Sequence, residues 1–145
     1  MVKGAEIPGI TTKTPEGVKG NGRAYKVLVV DDSMFVAKQI GQILTSEGFE
    51  IVATAGDGEE AVTKYKQLKD QIDLVTMDIT MPKMDGVTAL EKIIEFDPDA
   101  KVVMISALGR QDLVKKSLLL GAKNYIVKPL DRKKVLERVV SVLKS

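Results

Sequence analysis

The chain has 145 residues, 44% of them hydrophobic and 29% charged, the proportions of one globular domain with a single core. It contains neither cysteine nor histidine, which excludes disulfides, thiol nucleophiles, imidazole bases and Cys/His zinc sites. Its 22 basic side chains exceed its 20 acidic ones by two, and residues 1–24 carry that whole excess, with Lys3, Lys13, Lys19 and Arg23 against Glu6 and Glu16. The remainder is electrically balanced and aromatics make up only 4%, so no basic, aromatic-studded face for DNA is expected. No apolar run approaches the roughly 18 residues of a membrane span, and the first residues lack the apolar centre of a signal peptide. A cytoplasmic protein without membrane insertion is the expectation.

Residues 1–24 hold five glycines and two prolines with no period of 2 or 3.6, and read as an extension rather than a domain. The expectation for this segment is that it docks on its own domain or on a neighbouring molecule. From Tyr25 onward the pattern is regular, so residues 25–145 form the domain. Lys26 to Val30 is a short β-branched strand ending in Asp31-Asp32. Ser33 opens a helix with Met34, Ala37, Ile40, Ile43 and Leu44 at helical spacing, closed by Gly48. Phe49 to Ala55 is a second strand, Gly56 to Gly58 a turn, and Glu59 to Leu68 a helix. Asp73 to Asp78 is the third strand, followed by a loop from Ile79 to Asp85 and a helix from Gly86 to Phe96. Lys101 to Ser106 is the fourth strand. A helix from Gln111 to Leu120 ends at Gly121, Asn124 to Val127 is the fifth strand, and the last helix starts at Asp131. This β–α alternation, five times over, predicts an α/β fold with a doubly wound five-stranded parallel sheet. Ligands of such folds sit beyond the carboxyl ends of the strands.

The side chains at those ends are Asp31-Asp32, Asp78, Ser106 and Lys128-Pro129. Singly, each has an ordinary structural use: an aspartate caps a helix, a serine bonds to nearby backbone, a lysine faces solvent. Jointly they are harder to explain, because three neighbouring carboxylates repel one another and raise one another's pKa. A hard divalent cation such as Mg²⁺ relieves that crowding. A carboxylate in such a site can attack phosphorus and become an acyl phosphate, with the lysine and hydroxyl holding the other phosphoryl oxygens.

These residues resemble the receiver domain of two-component response regulators. The resemblance rests on Asp31-Asp32, on Met77-Asp78-Ile79-Thr80-Met81-Pro82-Lys83-Met84-Asp85-Gly86, on Ser106-Ala107 and on Lys128-Pro129, in that order and on the appropriate elements. It implies a flavodoxin-like (βα)5 fold with strand order 2-1-3-4-5. It implies that Asp78 is the phosphoacceptor, and that Asp32, Asp78 and the backbone carbonyl of Thr80 bind Mg²⁺ directly, with Asp31 acting largely through water. Lys128 and Ser106 would hold the phosphoryl group, with a cis Lys128-Pro129 bond. Ser106 and Tyr125 would form the switch, and Thr80 and Leu108 would tune hydrolysis. Arg110, Gln111, Lys115, Tyr125, Val127 and Lys133 would lie on the partner surface. On this reading the chemistry is confined to the chain's own Asp78, and the chain is not an enzyme with an external substrate.

Within that family the chain is similar to single-domain chemotaxis regulators of the CheY type, since the last helix reaches Ser145 and leaves no residues for an output domain. That subtype implies a chemotaxis histidine kinase as donor, the flagellar motor switch as target and an external phosphatase. The alternative is a stand-alone receiver that serves as a phosphorelay intermediate or regulates a non-motor partner. Two other readings are weaker. A haloacid-dehalogenase-like phosphatase wants a second aspartate where Thr80 stands. A nucleotide module wants a G-x-x-x-x-G-K-[ST] or G-x-G-x-x-G loop, and neither occurs.

Overall fold

The computed structural model describes residues 15–145. Five parallel strands, β1 (Lys26–Val30), β2 (Glu50–Ala55), β3 (Leu74–Asp78), β4 (Val102–Ser106) and β5 (Asn124–Val127), lie in the order β2-β1-β3-β4-β5. They alternate with α1 (Met34–Thr45), α2 (Gly58–Leu68), α3 (Gly86–Phe96), α4 (Gln111–Leu120) and α5 (Arg132–Leu143). This is the doubly wound (βα)5 sheet that the alternation of elements and the family resemblance predict.

The two-residue period of the strands sorts their side chains into two cores. Leu28, Val30, Val75, Met77, Val102 and Met104 pack with α2, α3 and α4 on one face. Val27, Val29, Leu74, Val103, Ile105 and Ile126 pack with α1 and α5 on the other. Because both faces are covered, β1, β3 and β4 are apolar almost throughout rather than alternating. Four helices open on side-chain caps: Ser33, Asp57, Asp85 and Asp131 each accept a hydrogen bond from a backbone N–H in the first turn. α4 opens at Arg110 with no such bond.

Three strands begin a residue later than the sequence suggests: β2, β3 and β4, the last with Lys101 just outside it. Phe49 is buried, but its N–H donates to the Leu44 carbonyl at the end of α1, so the ladder starts with Glu50 donating to Tyr25. Asp73 lies just outside β3, and its carboxylate accepts from the Lys26 N–H at 2.8 Å. A short 3-10 turn at Lys69–Gln71, which has no periodic signature, links α2 to β3.

Residues 15–24 lie on the domain itself. Gly17 donates to the Glu47 carbonyl at 2.7 Å, Glu16 donates to the Glu47 carboxylate at 3.1 Å, and Tyr25 donates back to Gly17 at 2.8 Å. Gly17 is needed there: a Cβ would collide with the backbone and ring of Phe49. Glu47 in turn pairs with Arg132 on α5 at 3.1 Å, and Glu16 pairs with Lys144 at 3.1 Å. The backbone N–H of Glu16, and then Arg132, hold the Glu47 carboxyl below its usual range. The part of the docking expectation that concerns residues 1–14 lies outside the described residues.

Candidate functional site

The strand ladder extends one residue beyond three strand ends, and this fixes the residues that stand there. Asp31 donates its N–H to the Ala55 carbonyl at 3.0 Å, Ile79 to Ile105 at 3.1 Å, and Lys128 to Ser106 at 2.8 Å. Asp31, Asp78, Ser106 and Lys128 are therefore placed by sheet hydrogen bonds rather than by flexible loop. The close approach of α3 adds a further constraint. Gly86 donates to the Ile79 carbonyl at 2.7 Å, and a Cβ on Gly86 would land on the Asp78 carbonyl oxygen. Gly86→Ala is expected to destabilise the fold by about 3 kcal/mol through this overlap, read as a lowered urea midpoint. An unchanged midpoint would show that the loop after β3 yields freely.

Asp31, Asp32 and Asp78 come together: one carboxylate oxygen from each lies within 4.8 Å of the others. Their environments differ. Asp31 is 3% exposed and Asp78 5%, while Asp32 faces solvent. The Lys128 ammonium stands 3.4 Å from Asp78 Oδ1 and 3.6 Å from Asp31 Oδ2. Asp31 Oδ1 accepts from the Ser33 N–H at 2.9 Å. Asp31 Oδ2 is buried with no hydrogen-bond partner, since Lys128 at 3.6 Å is at ion-pair distance only.

One ammonium does not balance three carboxylates. Burial, reinforced by the charge of Asp31, raises the Asp78 carboxyl to about 6 against the opposing pull of Lys128. Burial likewise raises Asp31, against the Ser33 N–H and Lys128. A buried carboxylate oxygen without a hydrogen-bond donor, in a group of three oxygen donors, is the arrangement that a hard divalent cation satisfies. The residues present thus fit such an ion.

Ser106 is buried beside this cluster, but its hydroxyl donates to the adjacent Ala107 carbonyl at 2.9 Å. Tyr125 is half-buried, with the Arg138 guanidinium 5.1 Å from its ring centre. Ser106, Leu108, Arg110, Gln111, Lys115, Tyr125 and Val127, all singled out from the sequence, line one groove of about 310 Å³ between the β4–α4 loop and β5. Lys133 lies elsewhere, on α5 beside the residue 15–24 segment. Thr80 and Leu108 are exposed on the loops after β3 and β4, and the Lys128-Pro129 bond is cis. Sequence reasoning passed over the Ser33 N–H as an anchor for Asp31; its signal is the N-cap position directly after the acidic pair.

The model of the response regulator receiver domain matches residues 27–140. The chain belongs to the response regulator receiver family. The receiver is 69% identical to the chemotaxis protein CheY of Treponema pallidum over 99% of this chain and 100% of that protein. It is 48% identical to CheY of Bacillus subtilis over 83% of this chain and 98% of that one. Among solved structures it resembles a CheX-CheY-BeF3-Mg²⁺ complex from Borrelia burgdorferi, with a TM-score of 0.87 and 60% identity over 90% of this chain and 98% of that one. Within the family, the receiver stands among the CheY-type chemotaxis regulators. No helix among the described residues is long and apolar enough to cross a membrane.

Proposed function

We propose that the receiver is a phosphorylation-switched chemotaxis regulator that takes a phosphoryl group on Asp78. The observation that carries this reading is the buried Asp78 carboxylate, grouped with Asp31 and Asp32 and faced by the Lys128 ammonium at 3.4 Å. A carboxylate oxygen of Asp78 attacks the phosphorus of a phosphohistidine. The new P–O bond forms as the P–N bond breaks, and the imidazole leaves with the electron pair and takes up a proton. The chain has no histidine, so the donor belongs to another protein, a chemotaxis histidine kinase.

Mg²⁺ held by Asp31, Asp32, Asp78 and the Thr80 carbonyl would neutralise charge on the phosphoryl oxygens. Lys128 supplies a point charge to another of those oxygens. Ser106 donates its hydroxyl once it leaves the Ala107 carbonyl, and Tyr125 follows into the space released. Phosphorylation thereby biases a two-state equilibrium of the β4–α4 loop and β5. The face formed by α4, β5 and α5 then binds the flagellar motor switch, in the cytoplasm. The chain turns over no external substrate. The CheY of the Borrelia structure is in complex with CheX and Mg²⁺, which supports both the ion and an external protein, a phosphatase in this reading, acting on the loaded site.

The test is incubation with acetyl phosphate and Mg²⁺ followed by intact mass. A gain of one phosphoryl group that is lost with hydroxylamine, as an acyl phosphate is, supports the reading; no gain overturns it. A motor-switch peptide should then be retained by the phosphorylated receiver in preference to a histidine phosphotransfer domain. Leu108, 80% exposed, cannot orient water. Leu108→Glu is expected to speed spontaneous loss of the phosphoryl group several-fold, and an unchanged rate would remove Leu108 from any part in hydrolysis.

A further inference from the structure

We propose that the groove along α5 is the seat of this chain's own N-terminal segment, residues 1–14. The groove encloses about 490 Å³ and is walled by Glu16 and Glu47 on one side and by one face of α5, with Arg132 and Glu137, on the other. Half-buried Leu136 and Val140, one turn apart on α5, supply its apolar lining. It lies apart from the acceptor cluster, which stands at the carboxyl ends of the strands.

Three observations select the occupant. The first is the point of entry. Glu16 is itself part of the groove wall, and bonds from Glu16 and Gly17 to Glu47 at 3.1 and 2.7 Å pin the chain there. The described chain is therefore held at the groove wall where it joins the domain. The second is reach. Fourteen residues span up to about 46 Å when extended, whereas the twelve residues of α5 measure about 18 Å. The third is chemistry. The segment offers Ile7, Pro8 and Ile10 to Leu136 and Val140, and Lys3 and Lys13 against a single Glu6. Glu137 in the groove has no ion-pair partner among the described residues. A tether this short holds its end at millimolar effective concentration, so a weak contact suffices for occupancy. Lys133 lines the same groove, so the seated segment covers part of the α5 face.

The absence of cysteine gives a clean background for the test. In the full chain, Ile10→Cys is paired either with Val140→Cys in the groove or with Thr45→Cys, exposed at the end of α1, and disulfide closure is followed under oxidised glutathione. The Val140 pair is expected to close about tenfold faster than the Thr45 pair, at a rate independent of protein concentration. Adding Ile7→Ser should bring that rate down toward the Thr45 rate. Equal rates for the two pairs would show an unseated tether. A concentration-dependent disulfide between chains would show that a second copy fills the groove. Either result overturns the proposal.

Discussion

Replacing Asp78 by asparagine is expected to stabilise the metal-free receiver at pH 7 by about 3 kcal/mol while abolishing its modification by acetyl phosphate. The two effects share one cause. Burial and the neighbouring Asp31 raise the Asp78 carboxyl from its ordinary 3.8 to about 6 in the folded chain. The native state therefore holds the proton more tightly than the unfolded state does. Stability from this group is fully present below pH 4 and is lost as the pH rises through about 6, where the folded carboxyl must ionise among its neighbours. A shift of this size, at about 1.4 kcal/mol per unit, gives the stated magnitude. Asparagine keeps the shape and removes the charge. Urea unfolding should show the gain at pH 7 and less than about 1 kcal/mol of it at pH 4. A variant no more stable than the parent at pH 7 would mean that the cluster is not electrostatically crowded, and the argument for a cation there would fall with it.

The second large effect is that of the ion itself. Mg²⁺ at a hundredfold excess over its dissociation constant is expected to raise the unfolding free energy by about 2.7 kcal/mol. Asp32 faces solvent, so Asp32→Asn should fold as the parent does and yet lose most of that gain. The gain should also shrink as the pH falls below about 6, because the proton and the cation compete for Asp78. Unfolding curves with Mg²⁺ and with chelator, at pH 7.5 and pH 5, separate the outcomes. An equal Mg²⁺ effect in the parent and in Asp32→Asn would place the ion elsewhere.

The fold is legible in the chain because its signals are local. The apolar runs Lys26 to Val30 and Lys101 to Ser106 are too uniform for a half-solvated sheet, and caps such as Asp57 and Asp131 stand next to the helices they open. The candidate site residues are legible for a related reason: topology alone brings Asp31, Asp78, Ser106 and Lys128 to one edge once the β–α alternation is recognised. What the residues do at that edge depends on distant parts of the chain. Asp31 is buried and Asp32 exposed, although nothing in the dipeptide distinguishes them; the register of β1 against β2 and β3 does. Ser106 turns its hydroxyl to Ala107, a rotamer that no pattern encodes. The ion pairs from Arg132 to Glu47 and from Lys144 to Glu16 join residues 85 and 128 positions apart. They make the segment before Tyr25 part of the folded surface, although its composition shows only glycine, proline and scattered charge.

The missing cap on α4 has an energetic consequence. Ser33, Asp57, Asp85 and Asp131 each anchor a first turn, and such an anchor is typically worth about 1 kcal/mol. Arg110 provides none, and Gly109 before it sits in the left-handed region at a φ of 88°. The amides opening α4 thus lack the anchor that the other helix starts have, which makes this turn the easiest to unwind and rewind. Slow-exchange measurements should find its N–H groups among the first to lose their protons to deuterated solvent. In the switch proposed for Ser106, the rearrangement would begin beside a helix start that lacks this anchor.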